Sequence, residues 1–364
     1  MKILVVGAGF SGAVMARQLA VAGHKVLVID KRNHIGGNAF DEFDTDGVLV
    51  HRYGPHIFHT NSKKIFDYLS QFTEWQKYEH RVLSSVEGKL YPIPINRTTL
   101  SLLYDRPFTA SEAQTHFDSV RINYEHPSTS EEVVLNSVGT ELCDLFFRGY
   151  TLKQWGLSLG QLSAGVAARI PTRINEDDRY FTDEYQVMPA YGYTKLFEKI
   201  LNHSSIQVKL GTDYFEEKEN LVFEHLVYTG PIDKFFNYKF GKLPYRSLRF
   251  EFKHVKESTY QPVATVNYPN DFEYTRITEM KKLTGQICSG TTLVTEYPTN
   301  FGDPYYPIPT AENNTLFREY QSLVDEEANI TFVGRLAQYQ YFNMDQAVGS
   351  ALEKSEKLIK YLID

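Results

Sequence analysis

Cysteine is almost absent: Cys143 and Cys288 stand alone among 364 residues. Two thiols are too few for a disulfide scaffold or a cysteine-rich metal site, and they fit a reducing cytoplasm. No uninterrupted apolar run reaches the roughly 18 residues of a membrane span. A basic excess is missing too, since 38 Lys and Arg stand against 45 Asp and Glu, a net charge of −7. That argues against a dedicated nucleic-acid binder, which needs a basic face, and leaves room for a local pocket for a small anion. Internal repeats, low complexity and long flexible linkers are lacking, which excludes a disordered chain. At roughly 150 residues per domain the length suggests two or three domains. What is plentiful is aromatic: 25 Tyr and 24 Phe against 2 Trp. A surplus of Tyr suits a site that is apolar in body and hydrogen-bonding at its tips.

Met1-Lys2 and the small, apolar stretch ending near Ala20-Val21-Ala22 resemble a secretory leader, but they make better sense as the start of a nucleotide fold. Ile3-Leu4-Val5-Val6 reads as a buried parallel strand. It runs into Gly7-Ala8-Gly9-Phe10-Ser11-Gly12, a match to G-x-G-x-x-G. A helical pattern follows, stopped by Gly23, and a second strand from Lys25 to Ile29 ends at Asp30. Gly7 allows the tight turn, Gly9 lets backbone approach a pyrophosphate, and Gly12 lets helix pack on strand. The helix N-terminus offers free N–H groups to phosphate, and Asp30 can accept from a ribose. An acid at this position favours an unphosphorylated ribose. A second glycine pair, Gly36-Gly37-Asn38, follows directly. It resembles the pattern of flavin amine oxidases and related flavoproteins, which favours FAD over NAD.

The end of the chain returns to nucleotide-domain material. Ile330-Thr331-Phe332-Val333 reads as a strand, followed by Gly334-Arg335 and a final helix from about Ala347 to Ile363, which Asn343 or Asp345 can cap. Residues 206–233 carry two further strand patterns. The fold class expected is α/β: a Rossmann-like FAD-binding domain with an inserted helical domain and an inserted antiparallel β-sheet domain. The FAD domain is expected to comprise residues 1–80, 191–244 and 320–364. Residues 97–165 should be helical, for example over Glu131 to Phe147. Residues 81–96, 166–190 and 245–319 should form the sheet domain.

Four clusters carry chemistry. The first is Tyr53-Gly54-Pro55-His56-Ile57-Phe58-His59-Thr60. His-x-x-His lacks an accompanying third ligand set, so a loop lining a cofactor is the better reading and no metal is expected. The second, Gly149 to Gly156, puts Tyr150 and Trp155 on a short turn, with Arg169 fourteen residues beyond Trp155. In the third, Tyr274 to Glu279, strand alternation would set Tyr274, Arg276 and Thr278 on one face. The fourth joins Tyr305-Tyr306-Pro307 to Tyr339 through Asp345. Together they would supply two cations for a diphosphate and aromatic walls for a base and a sugar.

These runs, in this order and over essentially the whole chain, resemble the bacterial UDP-galactopyranose mutases. The resemblance implies an FAD-dependent isomerase, usually a homodimer, that interconverts UDP-galactopyranose and UDP-galactofuranose for surface glycans. Reduced FAD attacks the anomeric carbon through N5, UDP leaves and later returns, and there is no net redox. The resemblance implies a reductant such as NADPH or NADH. It makes Arg169, in a mobile lid, and Arg276 the diphosphate-neutralising pair, and sets His59 with them as catalytic. It implies substrate contacts at His80, Phe146, Tyr150, Thr151, Trp155, Tyr180, Asn267, Tyr306 and Tyr341. Cofactor contacts would come from Gly7, Gly9, Phe10, Ser11, Gly12, Asp30, Lys31, Gly37, Asn38, His56, Ile57, Arg335, Asn343 and Met344. Two positions depart from the commonest family pattern: His80 stands where Asn is frequent and Asn343 where Asp is frequent. Both are expected near substrate or flavin, and the sugar end is the part they leave unfixed, so another nucleotide sugar, UDP-N-acetylgalactosamine or a deoxyhexose nucleotide, stays open. A flavin amine oxidase is the remaining alternative, although its acid-rich, apolar pocket is not evident.

Overall fold

The computed structural model describes residues 1–363. Its first layer is a five-stranded, all-parallel sheet assembled from three separated stretches of chain. Lys2–Val6 lies at its centre, flanked by Lys25–Ile29 and His225–Tyr228, with Ile206–Lys209 and Ile330–Phe332 at the edges. The register sets Val5 between Val28 and Val227, all fully buried. Branched aliphatic side chains on both faces are what a parallel sheet covered on two sides demands. The helix Phe10–Val21 covers one face and packs along the final helix Met344–Ile363. That final helix begins at Met344, three residues earlier than the apolar spacing suggests, because Gln346 reaches back to accept from the Asn343 N–H at 2.8 Å.

The second layer is a seven-stranded sheet in which Tyr245–Val255, Thr291–Thr299 and Arg276–Glu279 run side by side and antiparallel. Two corrections to the sequence reading follow. Thr265–Asn267 runs parallel to Val82–Val86, so the sheet is not purely antiparallel. The stretch 166–190 contributes no strand to it. Instead Tyr185–Pro189 lies between Phe58–Thr60 and Trp75–Lys77 in a separate three-stranded sheet. The aromatic faces explain the choice: Phe66 stacks on Tyr185, and Phe58 and Phe66 stack on Trp75.

Between residues 97 and 167 the chain is helical, with its own core around Leu100, Phe117, Val138 and Leu142. The run expected from Glu131 to Phe147 is helix over Ser130–Cys143, kinked at Gly139 (φ 77°), and widens into a π-helical turn at Asp144–Arg148. Tyr150 and Trp155 then lie on a true helix, Gly149–Trp155, rather than on a turn.

Candidate active site

A cleft of about 640 Å³ runs along the carboxyl ends of the parallel strands, the usual ligand position in such sheets. It is lined by the first glycine loop, Asp30, the second glycine pair, His56, Arg335 and the turn at Asn343. The glycines are there for space. A Cβ on Gly12 would lie 1.8 Å from the Gly7 carbonyl oxygen, and one on Gly7 would lie 2.0 Å from Thr229 Oγ1. Gly37 crosses Gly9 so closely that a Cβ on Gly37 would meet the Gly9 Cα at 2.9 Å. The Asp30 carboxylate accepts from the Ala8 and Arg32 backbone N–H groups at 2.8 and 2.9 Å, which fixes the glycine loop against the second strand. Its remaining lone pairs are free for a ribose. This cradle fits an extended dinucleotide, and FAD with it: backbone approach at Gly9, an acid at the ribose end, and the N-terminus of the final helix at the far end.

Of the fourteen cofactor residues expected from sequence, thirteen line this cleft. Ile57 does not; it packs against the main hydrophobic core. Lys31 is held in an ion pair with Asp303 at 2.8 Å, and Arg32 joins the same carboxylate at 3.0 Å. Arg335 donates to the carbonyls of Tyr305 and Phe342, tying two lining loops together.

Several of the predicted substrate residues gather beside this cleft, around Arg276. Arg276 sits on a central strand with Asn267 and Glu296 as its cross-strand neighbours. Its Nε donates to Glu296 Oε1 at 2.7 Å, and Glu296 is completely buried. Burial would lower the Arg276 pKa, but the Glu296 carboxylate, with Tyr150 and Tyr306 beside it, more than offsets this, and the guanidinium stays firmly charged. The charge of Arg276 is felt at Tyr150, Tyr180, Tyr306, His80 and His56, which marks out the shared pocket. Burial pushes the Tyr306 phenol up to about 12 and raises Tyr150 and Tyr180, so all three remain neutral donors. Trp155, Tyr306 and Tyr341 meet edge-on or tilted, with centroids 5.4 to 6.1 Å apart. Arg169 lies 4.3 Å over the Tyr341 ring and donates to Asn343 Oδ1.

Two expected contacts are buried, and one expected strand alignment is not found. Phe146 faces the helical core and meets Tyr91 edge-on at 5.6 Å. Thr151 is buried on the same helix as Trp155. Tyr274 lies outside the strand Arg276–Glu279 and stacks on Phe272 at 4.9 Å instead of sharing the Arg276 face.

His80 is buried, and the Tyr78 hydroxyl lies 3.1 Å from its Nδ1. Desolvation drives its pKa down to about 3, as it does for His56, so both rings are neutral. His59 stacks on Phe181 at 3.7 Å, with its Nδ1 2.9 Å from Asp183 Oδ2. The sequence reading missed Glu296 and Asp183. The only signal for Glu296 is a lone acid in the otherwise uncharged run Thr291 to Tyr297; Asp183 gives none beyond its nearness to Tyr180.

A family model described as UDP-galactopyranose mutase matches residues 145–341, and one described as an NAD(P)-binding Rossmann-like domain matches residues 5–72. The chain is 41% identical to a probable UDP-galactopyranose mutase of Klebsiella pneumoniae, over 98% of this chain and 94% of that one. It is 38% identical to a dTDP-fucopyranose mutase of Escherichia coli, over 99% and 98%. The solved structure of a reduced UDP-galactopyranose mutase superposes with a TM-score of 0.80 at 17% identity, covering 99% of this chain and 96% of that one.

Proposed function

Because this chain belongs to the UDP-galactopyranose mutase family, we propose that it interconverts UDP-galactopyranose and UDP-galactofuranose and so supplies galactofuranose for cell-surface glycans. The observation that carries this reading is the pairing of two guanidinium groups, Arg169 and Arg276, with an aromatic cluster next to the FAD cleft. FAD, when bound and reduced, supplies the nucleophile for the anomeric carbon. The protein's own part is binding and charge. The departing diphosphate gains negative charge, and Arg276, held charged by Glu296, meets it. Arg169 adds a second cation from the pocket mouth. The neutral phenols of Tyr150, Tyr180 and Tyr306 are donors for phosphate oxygens. Trp155 and Tyr341 form apolar walls that keep cleaved UDP in place for its return. The first turn of the final helix, at Asn343 and Met344, would offer its positive end to FAD bound in the cleft and favour negative charge there.

The working enzyme in this reading is a cytoplasmic homodimer reduced by a nicotinamide such as NADPH or NADH; among the described residues no helix is long and apolar enough to cross a membrane. A second reading keeps the chemistry and changes the sugar. The buried, neutral His80 at the sugar end and the similarity to a dTDP-fucopyranose mutase favour a 6-deoxyhexose nucleotide for it. One assay tests both. FAD-loaded enzyme, reduced with dithionite, is given UDP-galactofuranose, a dTDP-6-deoxyhexofuranose and a UDP-N-acetylhexosamine, and ring-exchanged products are separated. UDP-galactopyranose formed only by reduced enzyme is expected. No ring exchange with any of the three overturns the proposal.

A further inference from the structure

Beside the arginine pair lies a hydrogen-bond chain whose direction is set by the backbone. The Glu184 N–H donates to Asn61 Oδ1 at 2.9 Å. That fixes the Asn61 amide, whose Nδ2 then donates to Asp183 Oδ1 at 3.1 Å. The other carboxylate oxygen, Oδ2, lies 2.9 Å from His59 Nδ1. An ionised carboxylate can only accept, so Nδ1 must carry the proton. The bond to His59 also holds the Asp183 carboxyl below the usual carboxylate range, which keeps it ionised. The Gln186 side chain donates to the Asp183 carbonyl at 2.9 Å and holds the segment in place. No polarity in this chain is left open.

The consequence is at the other edge of the ring. In the neutral ring with its proton on Nδ1, His59 Nε2 carries the lone pair, and the hydrogen bond found for this ring among the described residues is the one at Nδ1. The ring is pinned by its stack on Phe181, which also contacts Tyr180 and His80. The same strand is fixed from the opposite side, where Thr60 donates to Asp345 at 2.9 Å in the first turn of the flavin-side helix. His59 is therefore a clamped base between the cofactor helix and the pocket of His80 and Arg276.

We propose that Asp183 and Asn61 are positioning residues that hold His59 in the Nδ1–H tautomer, so that its Nε2 takes the proton of the sugar hydroxyl that closes the ring and hands it back on reversal. This rests on the mutase reading. The balance closes within the active site: the O–H proton moves to Nε2, the oxygen keeps its electron pair for the anomeric carbon, and the imidazolium is stabilised by Asp183. Opening of the first ring puts one proton on the oxygen that leaves the anomeric carbon, and the imidazolium formed at closure supplies the proton for the next opening, so over repeated turnover no co-reactant is consumed.

Asp183→Asn is the informative change. Asn61 still donates toward the Oδ1 position, so the new amide places its oxygen there and turns its NH2 toward His59. That NH2 donates to Nδ1 and forces the opposite tautomer, with the proton on Nε2. Long-range proton–nitrogen NMR of the FAD-bound, nitrogen-15-labelled protein reads the tautomer, and a His59→Gln sample assigns the signal. The expected result is Nδ1–H in the parent and Nε2–H in Asp183→Asn. The kcat of the reduced variant should fall by about 10²–10⁴, the range of positioned acid–base groups, with KM and FAD content unchanged. Asp183→Glu, which keeps the carboxylate, should recover the parental tautomer and part of the rate. A parental Nε2–H tautomer, or an Asp183→Asn variant with parental kcat, overturns the proposal. The NMR arm needs no turnover, so a failed mutase reading would show separately, as parent enzyme inactive with its tautomer as described.

Discussion

Replacing Arg276 by alanine separates two duties of one side chain. In the fold it neutralises Glu296, which is fully buried and whose Oε2 has no partner among the described residues. Removing the cation strands that carboxylate, and breaking a buried pair from one side costs about 3–5 kcal/mol. Arg276 itself keeps 25% of its side-chain surface exposed, so the lower end of that range applies. At roughly 2 °C per kcal/mol for a chain of this size, Tm should drop by about 6 °C. In the reaction the same deletion removes a charge-assisted contact to the diphosphate, and losing one such transition-state contact lowers kcat by about 10²–10³. The two effects come apart in the double variant Arg276→Ala/Glu296→Gln. Its neutral amide no longer needs a counter-charge, so most of the lost Tm should return while turnover stays low. Thermal unfolding of FAD-loaded protein and single-turnover rates with reduced enzyme read the two axes. A double variant that regains both stability and rate would refute the reasoning, because the loss would then come only from a stranded carboxylate.

Arg169→Ala should lower kcat as Arg276→Ala does, yet leave Tm and FAD content unchanged, because exposed substitutions usually fall within about ±0.5 kcal/mol; a parental rate would remove Arg169 from the site. Gly12→Ala should yield protein with little bound flavin, measured as flavin absorbance per chain, since its Cβ would lie 1.8 Å from the Gly7 carbonyl oxygen; full flavin content would contradict the packing described. His51, His56 and His80 are held neutral by burial with pKa values of about 3, against 6.5 when free. The unfolded chain therefore binds more protons than the folded one below pH 6.5, and stability should fall as pH drops through that window toward 3. Three such groups give a slope approaching roughly 4 kcal/mol per pH unit. Denaturant unfolding at pH 7 and 5 measures it, and His80→Asn should remove about one third of the histidine contribution; an unchanged difference would mean that His80 is not buried neutral.

The nucleotide-binding half of the fold was legible because its signals are local. Strand, glycine turn, helix, strand and acid occupy thirty consecutive residues, and the demand for Gly12 comes from Gly7, only five positions away. The arginines were legible by resemblance, not by spacing. What stayed hidden depends on partners far apart in sequence. The stretch 166–190 carries alternating residues that suit any sheet edge, and the choice of Phe58–Thr60 and Trp75–Lys77 as partners rests on aromatic stacking across more than one hundred positions. Phe146 shows the same limit: its apolar side chain satisfies a substrate wall or a core equally well, and the π-helical turn directs it to the core.

Short-range chemistry in the amino-acid order was enough to establish a dinucleotide cradle and to anticipate a Tyr-rich pocket. Tertiary packing alone decided that Arg276 would be charged by a buried Glu296, that Arg169 would lie over Tyr341, and that His59 would face Asp183 with a defined proton position. The reason is physical: a turn or a helix cap is settled by contacts within a few residues, whereas a charge state or tautomer depends on burial and on which distant group closes the last hydrogen bond.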